Sequence, residues 1–322
     1  MTARIGRAKR RHLHVPAGTP DFATKPFLKW AGGKGQLLDT YDEVLPHAMR
    51  AGNVSTYVEP FLGGGAVFFF IAQRYPVPRA RLSDINQELV LTYRVVQRDV
   101  NGLIERLAQL AERYARLGDR AREKLYYTVR DEYNADRQIA CTASCSGASI
   151  GRAAQMIFLN KTCFNGLYRL NRKGEFNVPW GRYKNPRILD EENLRNASLL
   201  LQRAEILAAD FEATCADVRD GAFVYLDPPY RPISSSSSFT AYSRDAFSDA
   251  EQIRLATLFR RLHDKGVLLM LSNSDPRNKA PADRFFDELY NGFTIRRVLA
   301  SRMINSKADR RGAITELLIT NY

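Results

Sequence analysis

The chain of 322 residues carries 48 Lys and Arg against 35 Asp and Glu, a net charge of +13; this favours a polyanionic partner such as nucleic acid, a merely basic soluble surface being the plainer alternative. A hydrophobic content of 45% with 26% charged residues is globular, and the length suffices for one large domain or two. No apolar run approaches the roughly 20 residues of a membrane span, and the four cysteines, Cys141, Cys145, Cys163 and Cys215, make no disulfide framework in a chain this long and fit a reducing compartment.

The N-terminus, with Arg4, Arg7, Lys9, Arg10 and Arg11, reads as a basic, solvated tail to about Thr24, and no apolar segment follows as a secretory signal requires. Order is expected to begin at Pro26-Phe27-Leu28-Lys29-Trp30-Ala31-Gly32-Gly33-Lys34-Gly35. The glycine pair lets backbone approach a ligand, and Lys34 offers a cation to a carboxylate or phosphate. A P-loop is excluded, because Lys34 is followed by Gly35 and not by Ser or Thr.

Thr56 to Phe61 reads as a strand that carries Glu59 and runs into Gly63-Gly64-Gly65, with Ala66-Val67-Phe68 opening a helix. Strand, glycine turn and helix form the first unit of a nucleotide-type Rossmann fold. The phosphate-binding G-x-G-x-x-G pattern is not met, since Phe68 stands where its last glycine would be. Asp84 ends the next predicted strand about 20 residues on, where a ribose-hydroxyl acceptor usually lies. Loop, spaced acid and the Trp30/Lys34 segment together point to a nucleoside-containing cofactor without a diphosphate.

From Val100 through Leu103, Ile104, Leu107, Leu110 and Tyr114 the apolar spacing is helical, and helices are expected to continue towards Ile157. Ala140–Gly151, rich in small residues, reads as a loop. Cys141 and Cys145 lie there with no histidine near, so they read as inert thiols and not as zinc ligands. Two β-prone runs then flank Asn171-Arg172-Lys173-Gly174, a hairpin turn whose tip carries side chains that reach base edges and phosphates. Aromatics interleave there with Arg169, Arg172, Lys173, Arg182 and Lys184, a pattern read as nucleic-acid contact.

The α/β pattern resumes with Ala204 to Phe211, a strand ending in Asp210-Phe211, an acceptor and a ring for a purine. The next strand is Val224-Tyr225-Leu226-Asp227-Pro228-Pro229-Tyr230. Proline lacks an N–H and fixes φ, so the pair ends the strand and freezes the backbone after Asp227. The corner offers the Asp227 carboxylate, the Pro228 carbonyl and the Tyr230 ring, which suit a planar substrate with an exocyclic amino group. A serine loop (Ser234 to Ser238), a helix from about Ser248 to His263, and strands at Val267–Leu271 and Ile314–Asn321 complete the expected sheet.

With these motifs in this order, the chain resembles the Dam-type DNA adenine-N6 methyltransferases (D12 class, alpha group), which use S-adenosylmethionine. The matching stretches are Phe27–Gly35, Glu59–Gly65, Ser83–Asn86, Phe164–Tyr183, Asp210-Phe211 and Asp227–Tyr230. The resemblance implies a Rossmann-like methyltransferase sheet formed by 25–98 and 204–322, interrupted by a mostly helical DNA target-recognition domain at 99–203 that carries the hairpin. It implies Asp227, Pro228, Pro229 and Tyr230 as the catalytic tetrapeptide. The cofactor pocket would be formed by Trp30, Lys34, Glu59, Phe61, Gly63, Gly65, Asp84, Asp210, Phe211 and Asp227. Arg169, Leu170, Asn171, Arg172, Lys173 and Arg182 would contact duplex DNA, with GATC as the site and a bacterial or phage-encoded, cytoplasmic setting. The Cys141–Gly151 insertion departs from the family.

In such a site, hydrogen bonds from adenine N6 to Asp227 and the Pro228 carbonyl would localise the nitrogen lone pair for attack on the donor's methyl group. The target base would be flipped from the duplex at a cost of a few kcal/mol. No metal, covalent enzyme intermediate or obligatory protein partner is called for. Cytosine-N4 transfer, transfer to a protein glutamine amide, and a non-catalytic DNA-binding protein on a degenerate fold stand as alternatives.

Overall fold

The computed structural model describes residues 24–136, 146–231, 247–301 and 313–322. The basic tail before Thr24, the thiols Cys141 and Cys145, and the Ser234–Ser238 run lie outside the described residues. Two short helices, α1 (Leu38–Val44) and α2 (His47–Arg50), lead to strand β1 (Thr56–Glu59), and helix α3 (Ala66–Arg74) returns to β2 (Ala80–Asp84). Helices α4 (Gln87–Arg98), α5 (Val100–Ala115), α6 (Asp119–Ala135), α7 (Gly147–Thr162) and α8 (Glu191–Leu201) follow. The sheet resumes with β3 (Ala204–Ala208), α9 (Phe211–Thr214), β4 (Ala222–Leu226), α10 (Asp249–Asp264), β5 (Leu268–Ser274), α11 (Phe285–Leu289), β6 (Thr294–Ser301) and β7 (Ala313–Thr320).

The strands form one seven-stranded sheet in the order β3-β2-β1-β4-β5-β7-β6. The first five positions are parallel, and β7 runs antiparallel between β5 and β6. Successive strand residues face opposite sides, and both sides are covered. Tyr57, Phe223, Tyr225, Met270 and Leu318 join the core under α3 to α8. Val58, Val224, Leu226, Leu269, Leu271, Leu317 and Ile319 join the core under α9 to α11. All five residues of β4 are buried, as befits a central parallel strand, and each large apolar side chain there contributes roughly 1.5–3 kcal/mol. The strand order reverses between β1 and β4, and ligands of open α/β sheets bind in the crevice at such a switch point. Glu59 ends β1, and Asp227 directly follows β4.

Three local expectations differ. The presumed loop at Ala140–Gly151 is helical from Gly147, with Ser146 capping α7 by accepting from the Ser149 N–H at 3.4 Å. Its small residues Ser149, Ala153 and Ala154 are buried where α7 packs on α4, α5 and α6, so close packing sets their conformation where propensity alone reads as loop. The strand expected to reach Phe211 ends at Ala208, because Asp210 accepts from the Glu212 N–H at 2.9 Å and starts α9. Strand β6 has no counterpart in the sequence reading; Arg296 and Arg297 interrupt its apolar pattern. No helix among the described residues is long and apolar enough to cross a membrane.

Candidate active site

A polar corner forms where β4 ends. Lys34, 4% exposed, puts its Nζ 2.8 Å from Asp227 Oδ1 while donating to the Gly32 carbonyl at 2.8 Å. Ser272 on β5 donates to the same Oδ1 at 2.9 Å, and its oxygen lies 2.9 Å from the Tyr225 hydroxyl. Among the described residues, no donor reaches Oδ2. Burial pushes the Asp227 carboxyl above the ordinary carboxylate range, against the pull of Lys34 and Ser272. Tyr230 is 37% exposed, with Lys34 Nζ 4.8 Å from its ring centroid. The Pro229 carbonyl takes a hydrogen bond from Gln252 at 3.3 Å, whereas no described residue donates to the Pro228 carbonyl.

The neighbouring cleft lies over β1 and β2. Gly63 and Gly65 adopt left-handed backbone (φ 49° and 68°). A Cβ on Gly65 would come within 2.6 Å of the Tyr93 hydroxyl, so the close approach of the loop to α4 requires glycine. Asp84 holds the loop: its Oδ2 accepts from the Gly63 N–H at 3.0 Å and its Oδ1 from the Asn86 N–H at 2.9 Å. Burial raises its pKa, and these amides oppose the rise. Phe61 stacks on Phe211 at 5.5 Å, and Trp30 on Tyr168 at 5.1 Å. Asp210 lies beside this slot with both oxygens engaged, Oδ1 as the cap of α9 and Oδ2 in an ion pair with Arg254. Glu59 turns inward. It accepts from the Tyr57 hydroxyl at 2.7 Å, and burial raises its pKa to about 8.

The turn at Asn171–Gly174 is tightly built. Asn171 donates its N–H to the Glu175 carbonyl at 2.8 Å and accepts from Gly174 at 2.9 Å. Its side-chain oxygen takes the Lys173 and Glu175 N–H groups at 2.9 and 3.0 Å. Asn171 therefore shapes the turn, while Arg172 and Lys173 stand exposed at its tip. Leu170 pairs with Phe176 across the turn, and Arg169 is tied to Asn177 at 2.8 Å. Trp180 donates to the Tyr114 hydroxyl of α5 at 3.0 Å, and the Tyr126 hydroxyl of α6 donates to the Val178 carbonyl at 2.7 Å. Arg182, exposed and left-handed at φ 56°, follows on the same surface.

Several residues not singled out in sequence belong with these. Asn160 of α7 donates to the carbonyls of Lys29 and Gly166 at 2.9 and 3.1 Å, stitching the Trp30 segment to the recognition segment. Lys29 Nζ lies 5.3 Å from the Tyr183 ring centroid. Phe164, 51% exposed, and Leu167 join Leu170 as exposed apolar side chains of one stretch. A cavity of about 330 Å³ separates the end of β2 from this stretch and is lined by Asn86, Glu88, Tyr133, Arg152, Tyr168 and Leu170 among others. Ser272 and Glu316, brought to the corner by β5 and β7, carry no motif signal. Burial pushes the Cys163 thiol up to about 11 and that of Cys215 up to about 12, so neither supplies a thiolate nucleophile near neutral pH.

A doubly covered α/β sheet with acids at the carboxyl ends of its strands, and a basic hairpin beside them, has the architecture of a Rossmann-like methyltransferase that acts on nucleic acid. The family model described as D12 class N6 adenine-specific DNA methyltransferase matches residues 30–304. Type II methyltransferase M.MjaIII of Methanocaldococcus jannaschii is 50% identical over 299 residues, covering 92% of this chain and 99% of that protein. Type II methyltransferase M1.LlaDCHI of Lactococcus lactis subsp. cremoris is 38% identical over 92% of this chain and 95% of its own length. The DNA adenine methylase of Escherichia coli K12 is 31% identical over 91% and 94%. The chain belongs to the D12 class of N6 adenine-specific DNA methyltransferases.

Proposed function

We propose that this enzyme moves the methyl group of S-adenosylmethionine to N6 of an adenine flipped out of duplex DNA within GATC, in the cytoplasm of a bacterial or phage-infected cell. The observation that carries the reading is the asymmetry of Asp227: Lys34 and Ser272 both engage Oδ1, and no described donor reaches Oδ2. The acceptor for an N6–H is therefore built and held at its other oxygen. The Pro228 carbonyl supplies the acceptor for the second N6–H, and the open face of Tyr230 stacks on the base. Two hydrogen bonds to the amino group favour its pyramidal form and localise the lone pair. Burial makes the Asp227 carboxylate a better proton acceptor than an ordinary one, so Oδ2 takes the proton that leaves N6. Proximity and orientation supply the rest, worth roughly 7–11 kcal/mol in well-aligned reactions.

The cleft over β1 and β2 fits the donor. Glycines leave room beside Asp84, whose oxygens each keep a lone pair for ribose hydroxyls, and Phe61 with Phe211 offers ring faces to a purine. When bound, S-adenosylmethionine supplies an electrophilic methyl on a sulfonium centre. Trp30, Lys34, Gly63, Gly65, Asp210 and Glu59 line or support that cleft.

We assign DNA recognition to 99–203 and catalysis to 25–98 with 204–322. Arg172 and Lys173 reach guanine O6 and N7 in the major groove, each such contact discriminating by roughly 1–3 kcal/mol. Arg169 and Arg182 flank them, and Leu170, with Phe164 and Leu167, provides apolar side chains to fill the gap left by the flipped base. GATC is supported by the likeness of the hairpin to that of Dam-type enzymes. Sequencing modified bases in unmethylated DNA treated with enzyme and donor tests the reading: N6-methyladenine in GATC is expected. Methylation without preference for GATC would overturn the specificity, and no N6-methyladenine would overturn the whole.

A further inference from the structure

Strand β5 reaches the Asp227 corner from both of its faces. Ser272 lies on the face of Met270 and bonds Asp227, whereas Asn273 lies on the opposite face, with Leu269 and Leu271, under α10. There the Asn273 amide donates to the Gln252 side-chain oxygen at 3.3 Å, and Gln252 donates in turn to the Pro229 carbonyl at 3.3 Å. Both side chains are fully buried. Gln252 shares the inward face of α10 with Leu255 and Ala256, where an apolar residue would leave no polar group to satisfy. One turn earlier, Asp249 takes the Arg231 guanidinium on both oxygens, at 2.7 and 2.8 Å. The remaining nitrogen of Arg231 reaches Asp283 at 2.9 Å, and its guanidinium carbon lies 4.1 Å from the Phe285 ring centroid. A buried amide relay and a doubly paired arginine thus grip the chain on either side of Tyr230.

We infer that Gln252 and Arg231 are positioning residues for methyl transfer, which anchor the chain to the start of α10 and thereby aim the Pro228 carbonyl. The inference rests on the reading that Asp227 and Pro228 receive the target amino group. Proline fixes φ at 228 and 229, and a residue that precedes proline is confined to extended ψ. The main rotation left in this backbone is the one after Pro229. Gln252 sets it by taking the Pro229 carbonyl, and Arg231 holds the exit of the turn two residues on. Successive carbonyls of an extended, proline-rich chain point to different sides. With the Pro229 carbonyl turned to α10, that of Pro228 faces elsewhere, and no described donor takes it. Ser272 holds Asp227 and Gln252 holds Pro229, so both acceptors for N6 are set from opposite faces of one strand. Neither Gln252 nor Arg231 touches the reacting atoms.

Single-turnover methyl transfer tests this, with the full chain, radiolabelled S-adenosylmethionine and unmethylated plasmid DNA, well below the melting temperature of each variant. Gln252→Met keeps the volume and removes the donor; Arg231→Ala removes the clamp. Each is expected to lower the rate constant at saturating donor and DNA about 10- to 100-fold, the scale of a reacting group misplaced by about 1 Å, while both dissociation constants stay within about twofold of wild type. Contacts that served folding alone would lower the melting temperature and leave that rate constant unchanged. A wild-type rate constant in either variant, or a loss carried by weaker donor or DNA binding, overturns the inference. If one variant fails to fold, the other decides by the same criterion. A wild-type enzyme that leaves no N6-methyladenine in the plasmid overturns the functional reading and this inference together; an active wild type with unaffected variants overturns only this one.

Discussion

Glu59→Gln separates a structural acid from a ligand-binding one. Glu59 sits inside the β1 end, bonded to the Tyr57 hydroxyl, and burial lifts its pKa from 4.5 to about 8. The folded state therefore keeps its proton across a pH range in which the unfolded chain has lost it. Below 4.5 both states are protonated and stability does not depend on this group. As pH rises from 4.5 to about 8, unfolding releases a proton, and stability falls by up to about 1.4 kcal/mol per pH unit, about 5 kcal/mol over the interval. Above about 8 both states are ionised and the loss is complete. Glutamine mimics the protonated form, so the variant should match wild type near pH 4.5 and exceed it increasingly up to about pH 8. Urea unfolding of both proteins at half-unit pH steps measures the difference directly, the other buried acids cancelling. A difference that stays flat with pH would refute a protonated Glu59 and return it to the ligand cleft.

Asp227→Asn should lower kcat by about 10²–10⁴-fold, as for loss of a positioned proton acceptor, with the melting temperature nearly unchanged; near-normal turnover would remove Asp227 from catalysis. Because burial raises the Asp227 pKa and Lys34 opposes the rise, the acid limb of the kcat–pH profile should lie above the ordinary carboxylate range. Lys34→Ala should move that limb to higher pH, and a shift to lower pH would contradict the charge pairing. Asp84→Ala should weaken S-adenosylmethionine binding about 10- to 100-fold by calorimetry, the scale of hydrogen bonds to a charged group; unchanged affinity would place the donor elsewhere. Arg172→Ala should relax discrimination at the guanine beside the target more than it slows the best substrate. A uniform loss on all DNA with a flatter salt dependence would make Arg172 a phosphate contact.

The strand-to-turn junctions were legible because their chemistry is local. Gly63, Asp84 and Asp227 each end or follow a strand, and short-range rules about glycine turns and Pro-Pro stops suffice to set them at the sheet's edge. The helix over Val100–Ala115 was legible for the same reason, its apolar stripe repeating without interruption. What escaped depends on pairing between distant segments. Ser272 reaches Asp227 because β5 lies beside β4, and Glu316 reaches the same end of the sheet because β7 inserts between β5 and β6. Neither residue carries a sign of this in its own neighbourhood. Asn171 illustrates a dual signal: asparagine at a hairpin tip suits base reading and also closes turns, and here its oxygen takes two backbone N–H groups. The Gly147–Gly151 stretch looks loop-like because its glycines weaken helix propensity; there only Ser149 is buried, and the helix is held by the buried Ala153 and Ala154 that follow.

The charges of the molecule divide by depth. In a chain of net charge +13, Arg172, Lys173 and Arg182 stand exposed between 169 and 182. Inward, at the carboxyl edge of the sheet, Glu59, Asp84, Asp227 and Glu316 all have pKa values raised by burial. Charge on Asp227 and Asp84 further raises Glu59, and charge on Asp227 raises Glu316, so the charged acids of this slot favour protonation of their neighbours. Lys34 is the buried cation set among them. Under the proposed function, a cationic donor and the positive edge of an amino group entering that slot would relieve like charge already present there, and salt screens such buried interactions weakly. The outer cations face water and a polyanion, where ion release governs binding. Under the proposed function, attraction for the DNA backbone and attraction for the reacting groups come from opposite charges at different depths, and the basic surface does not neutralise Asp227, the proposed acceptor of the N6 proton.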